Sequence, residues 1–246
     1  MSKRFHSFYS HALGRDMGMY IHGHAGKPCV VFPSQDGSYD NFEGFGMLEP
    51  CTPYLRDGKL RLYCVDGIDK ETWSNKGGNP RHRMERHEAW FRYLTDELTP
   101  FIHQDTGWQG RLMTTGCSMG ATHAANLLFR RPDLYDTVIG LSGAYDAAWL
   151  MDGYTDDLVH LNSPVSSVSA MPHDHPYIDM LNSCTIILCA GRGAWEEQML
   201  HSMGLLQRAM NEKGINAWFD YWGEDVNHDW PWWRIQLAYF LGKVMG

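Results

Sequence analysis

The sequence predicts a mostly parallel α/β sheet with helices packed on both faces, and three observations support that prediction. Short apolar runs rich in β-branched and aromatic residues alternate with helical patterns along the chain. The 246 residues, 43% hydrophobic and 20% charged, have an ordinary globular balance and suffice for one well-buried core. The string Gly116-Cys117-Ser118-Met119-Gly120 stands between one apolar run and a small-residue helical pattern. That is where a sharp strand-to-helix turn belongs in such a fold.

The elements follow in order. Residues 17–22 read as an early strand, and residues 29–32 as a short buried strand that stops at Pro33-Ser34-Gln35-Asp36-Gly37. Residues 60–65 form another, ending at Asp66-Gly67. A helix is expected over 82–103, because Met84, His87, Phe91, Leu94, Leu98 and Phe101 recur at spacings of three and four. Pro100 is expected to kink or end it. Residues 111–115 are the strand before the turn at Ser118, and 121–129 the helix after it, stopped by Arg130-Arg131-Pro132. Residues 137–142 are a strand, followed by an irregular stretch from 144 to 183. Of this, 147–182 is expected to cap the site and influence substrate choice. Residues 184–190 are the clearest buried strand, ending at Gly191-Arg192-Gly193. Met199, Met203, Leu206 and Met210 mark an amphipathic helix closing near Gly214. Residues 216–222 are the last strand, and 231–245 a terminal helix with Pro231 in its first turn. No repeat or linker interrupts the pattern, so one domain over 1–246 is expected.

Composition narrows the function. A formal net charge of −8 lacks the basic face that nucleic acid requires. No stretch approaches the ~18 apolar residues of a membrane helix, and no apolar segment follows the basic start as in a signal peptide. The six cysteines show no paired-ligand spacing, which points to a reduced, cytoplasmic chain without structural disulfides. The pairs His22/His24, His82/His87 and His173/His175 lack the third and fourth ligands that a zinc site needs, so no metal is expected.

A serine at such a turn is a nucleophile only if a base takes its proton and a third group orients the base. Position selects His228, in Asn227-His228-Asp229-Trp230-Pro231 between the last strand and last helix, on the sheet edge that also carries Ser118. The acid should follow the strand at 184–190. The usual aspartate position is Ala194, which leaves Glu196 as first choice, Glu197 as its alternative and Asp146 as a third. The oxyanion donors expected are the backbone N–H groups of Met119 and Gln35. Trp230 and Trp73 are expected to wall a substrate pocket, most other tryptophans being core.

With these residues in place, the chain resembles the putative esterase family of α/β-hydrolases, the group of esterase D-like, feruloyl and enterochelin esterases and mycolyltransferases. Gly116–Gly120 with Ala121 and Ala124 behind, and His228-Asp229-Trp230 ahead of a tryptophan-rich helix, carry the resemblance over nearly the whole chain. It implies an α/β-hydrolase fold, Ser118 as nucleophile, His228 as base, and acyl chemistry without metal or organic cofactor. Ala194 departs from the family aspartate. The expectation is a serine esterase acting on a small-molecule ester, with homo-oligomerisation open. The alternatives are acyl transfer on the same fold or a non-catalytic interaction protein.

Overall fold

The computed structural model describes residues 2–246. Eight strands form one sheet: β1 (Lys3–Ser10), β2 (Arg15–His22), β3 (Lys27–Phe32), β4 (Leu60–Val65), β5 (Leu112–Cys117), β6 (Tyr135–Leu141), β7 (Thr185–Ala190) and β8 (Trp218–Tyr221). Their order is β1-β2-β4-β3-β5-β6-β7-β8. The β1–β2 and β2–β4 pairs are antiparallel and the rest parallel. The central strands are buried over nearly their whole length, which explains their mainly apolar runs, and the buried Thr114 and Thr115 of β5 bond their hydroxyls to backbone carbonyls.

Helices cover both faces. Two short ones, α1 (Asn41–Gly44) and α2 (Thr52–Arg56), precede β4; α3 (Pro80–Arg92) and α4 (Thr99–Thr106) follow it. After β5 comes α5 (Met119–Arg130). Between β6 and β7 lie α6 (Ala147–Leu150), α7 (Asp157–Leu161), α8 (Pro164–Ala170) and α9 (Tyr177–Asn182). The set closes with α10 (Glu197–Lys213) and α11 (Trp230–Val244). One sheet face packs Trp90, Leu94, Ala124, Leu128, Met203 and Leu206 from α3, α5 and α10 and the turn after α3. The other packs Phe42, Leu55, Trp233, Leu237 and Phe240 from α1, α2 and α11. All six cysteines are free thiols, five of them buried. No helix among the described residues is long and apolar enough to cross a membrane.

Three departures from the sequence pattern have physical reasons. β1 was not expected, because it is an exposed edge strand whose residues alternate between solvent and Phe101 rather than forming an apolar run. Pro100 does not end its helix, which continues to Thr106. A π-helical turn at Tyr93–Leu98 comes first, and Pro100 falls in the first turn of α4, where its missing N–H costs nothing. The stretch expected to be irregular carries four short helices, three of them capped by the side chains of Asp146, Asp156 and Ser163. Within it, Ala148, Trp149, Leu150, Asp152 and Gly153 border the cavity described below, whereas Val168 and Leu181 join the core.

Parallel register places the strand ends together. Phe32 lies beside Gly116, Cys117 beside Leu141, Leu141 beside Cys189, and Ala190 beside Tyr221. The loops leaving β3, β5, β6, β7 and β8 therefore meet at one edge, as is usual for sites in open α/β sheets.

Candidate active site

Ser118 occupies the turn between β5 and α5 with φ 56° and ψ −125°, a strained conformation for a residue with a Cβ. Close packing holds it there. A Cβ on Gly116 would lie 2.4 Å from the Gly120 carbonyl carbon, and one on Gly120 would lie 2.6 Å from the carbonyl oxygens of Phe32 and Pro33. Glycine is the residue that lets β5, α5 and the end of β3 approach so closely. The Ser118 N–H donates to the Leu141 carbonyl at 2.8 Å, which fixes the turn against β6.

His228 sits in the loop between β8 and α11, and this loop is laced to the loop after β7. The N–H groups of Arg192 and Gly193 donate to the carbonyls of Gly223 and Val226, Ala194 N–H donates to Asn227 Oδ1, and His228 N–H donates to the Ala194 carbonyl. Its imidazole edge meets the Trp233 ring at 4.8 Å, nearly perpendicular. Nε2 accepts from the Ser118 hydroxyl at 2.9 Å, in the tautomer that leaves the proton on Nδ1.

Three carboxylates were candidates for the acid, and the loop after β7 separates two of them. Trp195 takes φ 69°, which turns the chain so that Glu196 points inward and is fully buried, while Glu197 is exposed in the first turn of α10. Glu196 Oε2 lies 3.4 Å from His228 Nδ1, a long hydrogen bond. Its Oε1 accepts from Ser142 Oγ at 2.5 Å and from Gly191 N–H at 3.4 Å. Asp146 is used otherwise: it caps α6 by accepting from Ala148 N–H at 3.0 Å, at the border of the cavity.

Two further residues of this group were not read from the sequence. Ser142, with φ 56° at the end of β6, receives a hydrogen bond from Trp233 Nε1 at 3.0 Å and donates its own to Glu196. The signal was the position of Ser142, on the strand next to β5 and at the same edge. Trp233 reads as one more core aromatic, and its ring does pack with Leu237 and Phe240 on the sheet face that α11 covers.

A cavity of about 710 Å³ opens beside Ser118, lined by Met119, Gln35, Trp73, Trp149 and Met199 among others. Gln35 is carried by the tight turn Ser34–Gly37, where Gly37 N–H donates to the Ser34 carbonyl at 2.9 Å and Asp36 has φ 60°. Trp73 is a wall of this cavity. Trp230 is not, which corrects the expectation. It stacks flat on Phe45 at 4.2 Å and meets Trp233 edge-on, because the first turn of α11 directs it toward α1. Among the described residues no group of three or more His, Cys, Asp or Glu side chains is arranged to hold a metal ion.

A family model described as putative esterase matches residues 10–244. The chain belongs to this family. The esterase is accordingly a carboxylic ester hydrolase of α/β-hydrolase fold. It is similar in structure to a ferulic acid esterase (15% identity, TM-score 0.77), with 99% of this chain and 97% of that one covered. It is likewise similar to an S-formylglutathione hydrolase from Agrobacterium tumefaciens (14% identity, TM-score 0.74, 99% and 95% covered). A fluorophosphonate-binding serine hydrolase of Staphylococcus aureus aligns at 13% identity with TM-score 0.69, over 100% and 98% of the two chains. At such identities the likeness is one of fold. No curated protein matches the chain.

Proposed function

We propose that the esterase works through an acyl-enzyme on Ser118, with His228 as base and Glu196 as acid. The observation that carries this reading is the unbroken hydrogen-bonded line from Ser118 Oγ through both imidazole nitrogens to Glu196. Ser118 Oγ attacks the ester carbonyl as its proton passes to His228 Nε2. The new imidazolium keeps its Nδ1–H on Glu196, whose charge stabilises it. The tetrahedral oxyanion accepts from the N–H groups of Met119 and Gln35, two residues that line the same cavity as Ser118. As the intermediate collapses, the C–O bond to the alcohol breaks and His228 protonates the departing alkoxide. Water then gives a proton to His228 and attacks the acyl carbon. A second collapse frees the acid and returns the proton to Ser118 Oγ.

A fluorophosphonate phosphonylates a serine activated in this way. The wild type is expected to take up one equivalent with loss of p-nitrophenyl acetate turnover. Ser118→Ala should do neither, with turnover down by about 10⁴-fold or more, as when a triad serine is removed. An unlabelled, properly folded wild type would overturn the serine mechanism.

A further inference from the structure

Next to the candidate site lies a buried polar group that the proposed chemistry leaves unused. The chain after β4 passes through one 3₁₀ turn, Asp69–Glu71, and then brings Trp73 to the cavity. This short segment is tied at both ends to longer helices. Asp69, 2% exposed, has Oδ1 2.9 Å from Nε2 of His123, which is 4% exposed and lies on α5 little more than one turn beyond Ser118. Arg83 on α3, also 4% exposed, spends its guanidinium on two backbone carbonyls, donating from Nε to Thr72 at 2.7 Å and from Nη2 to Trp73 at 2.8 Å. Beyond Trp73 the segment reaches the turn that carries Gln35, because Gln35 Nε2 donates to Ser74 Oγ at 2.9 Å.

This is a costly way to hold a core together. A buried guanidinium without a carboxylate and a buried Asp–His pair both lose hydration, and apolar side chains of similar volume usually stabilise a fold as well or better. Satisfaction is also incomplete, since Asp69 Oδ2, Trp73 Nε1 and His87 Nδ1 are buried without partners. The rings of Trp73, His87 and His123 stand 5.0 and 5.6 Å apart in sequence. What these polar groups do supply is direction. They join the helix that carries Ser118 to one wall of the cavity and to the loop that carries Gln35.

We propose that Asp69, His123 and Arg83 form a clamp that fixes Trp73 as a wall of the ester cavity, making them positioning residues for ester selection. The proposal rests on the serine-esterase reading above. Loosening the clamp lets the indole shift, and a bulky ester loses its fit before a small one does. Misplacements near 1 Å in a site are known to cost up to about 10²-fold.

The test uses the double variant Asp69→Leu/His123→Phe, which replaces the pair by apolar groups, and separately Arg83→Lys, which keeps the charge but cannot bridge two carbonyls. kcat and KM are measured for p-nitrophenyl acetate and p-nitrophenyl benzoate, with melting temperature and fluorophosphonate labelling on the same samples. The expected result is labelled, folded variants whose benzoate KM rises about 10-fold while acetate kcat stays within about 3-fold, a split that a general loss of stability would not produce. Arg83→Lys retains most of the fold's contacts and carries the test if the double variant does not fold. Labelled, folded variants with the wild-type KM for both esters would overturn the clamp and leave the serine mechanism standing. Absence of labelling in the wild type would overturn the serine mechanism, and the clamp with it.

Discussion

A carboxylate removed from water requires several donors, and Glu196 draws on three: the Ser142 hydroxyl, the Gly191 N–H and the His228 imidazole. Glu197, one residue on, faces solvent. The sequence favours Glu196 but leaves Glu197 close behind, because their separation depends on the positive φ of Trp195, and a bulky non-glycine residue gives no sign of taking it. Ser118 and His228 were legible because glycine spacing and loop position mark them, whereas Ser142 and Trp233 carry no such mark. Kinetics separate the two glutamates. Glu196→Gln should lower kcat by about 10²–10⁴-fold by weakening the hold on the imidazolium, as in other triads. Glu197→Gln should stay within about 2-fold of wild type, as exposed substitutions usually do. Equal losses in both would remove Glu196 from the proposed mechanism. Ser142→Ala deletes one hydrogen bond to a buried carboxylate, worth about 1.5–3 kcal/mol, and should reduce kcat about 10-fold or more with KM little changed.

At the scale of elements, the buried parallel strands were the most legible, since a strand covered on both faces reads as a nearly continuous apolar run. The connections were less so. The turns of 144–183 depend on caps placed one at a time, and the antiparallel β1 depends on β2 as its partner, which no local pattern announces. The lacing between the loops after β7 and β8 is a contact of this kind, and it sets the distance from Glu196 to His228. Glycine makes it possible: a Cβ on Gly191 would lie 1.9 Å from the Val226 carbonyl oxygen, which cannot move without pulling the His228 loop. Gly191→Ala is therefore expected to cost about 1–3 kcal/mol of stability, as overpacking does, and to lower kcat more than this loss alone predicts. Gly204→Ala in α10 is the matched control, because a Cβ there meets only an arginine tip at 3.9 Å. It should stabilise by about 0.5–1 kcal/mol through helix propensity. Chemical denaturation followed by turnover assays on the folded fractions distinguishes the pair, and wild-type kcat in Gly191→Ala would show that the lacing does not set the site.

At the scale of the whole molecule, the alternation of buried strand and amphipathic helix was enough to place Ser118, His228 and the loop of Gln35 at one sheet edge, since parallel strands all end on the same side. What the pattern could not supply was the price of its buried histidines. His22 lies in β2 with both ring nitrogens unpartnered, and burial holds its pKa below the ordinary histidine value. His87, inside the layer of α3, is pushed well below it by burial first, then by His123 and by Arg130. Both are neutral in the folded chain at pH values where they would be protonated once unfolded. The unfolded state therefore binds more protons as pH falls, so the stability these groups confer is complete above about pH 6.5 and is lost progressively beneath it, at up to about 1.4 kcal/mol per pH unit for each histidine. The melting temperature should be nearly level between pH 7 and 8 and decline from pH 6.5 to 5, before most carboxylates titrate. His87→Phe keeps a flat ring among Trp73, Trp90 and His123 but removes one of the two protonations. Its melting temperature should fall less steeply over the same interval. An unchanged slope would mean that His87 is not a source of the acid sensitivity.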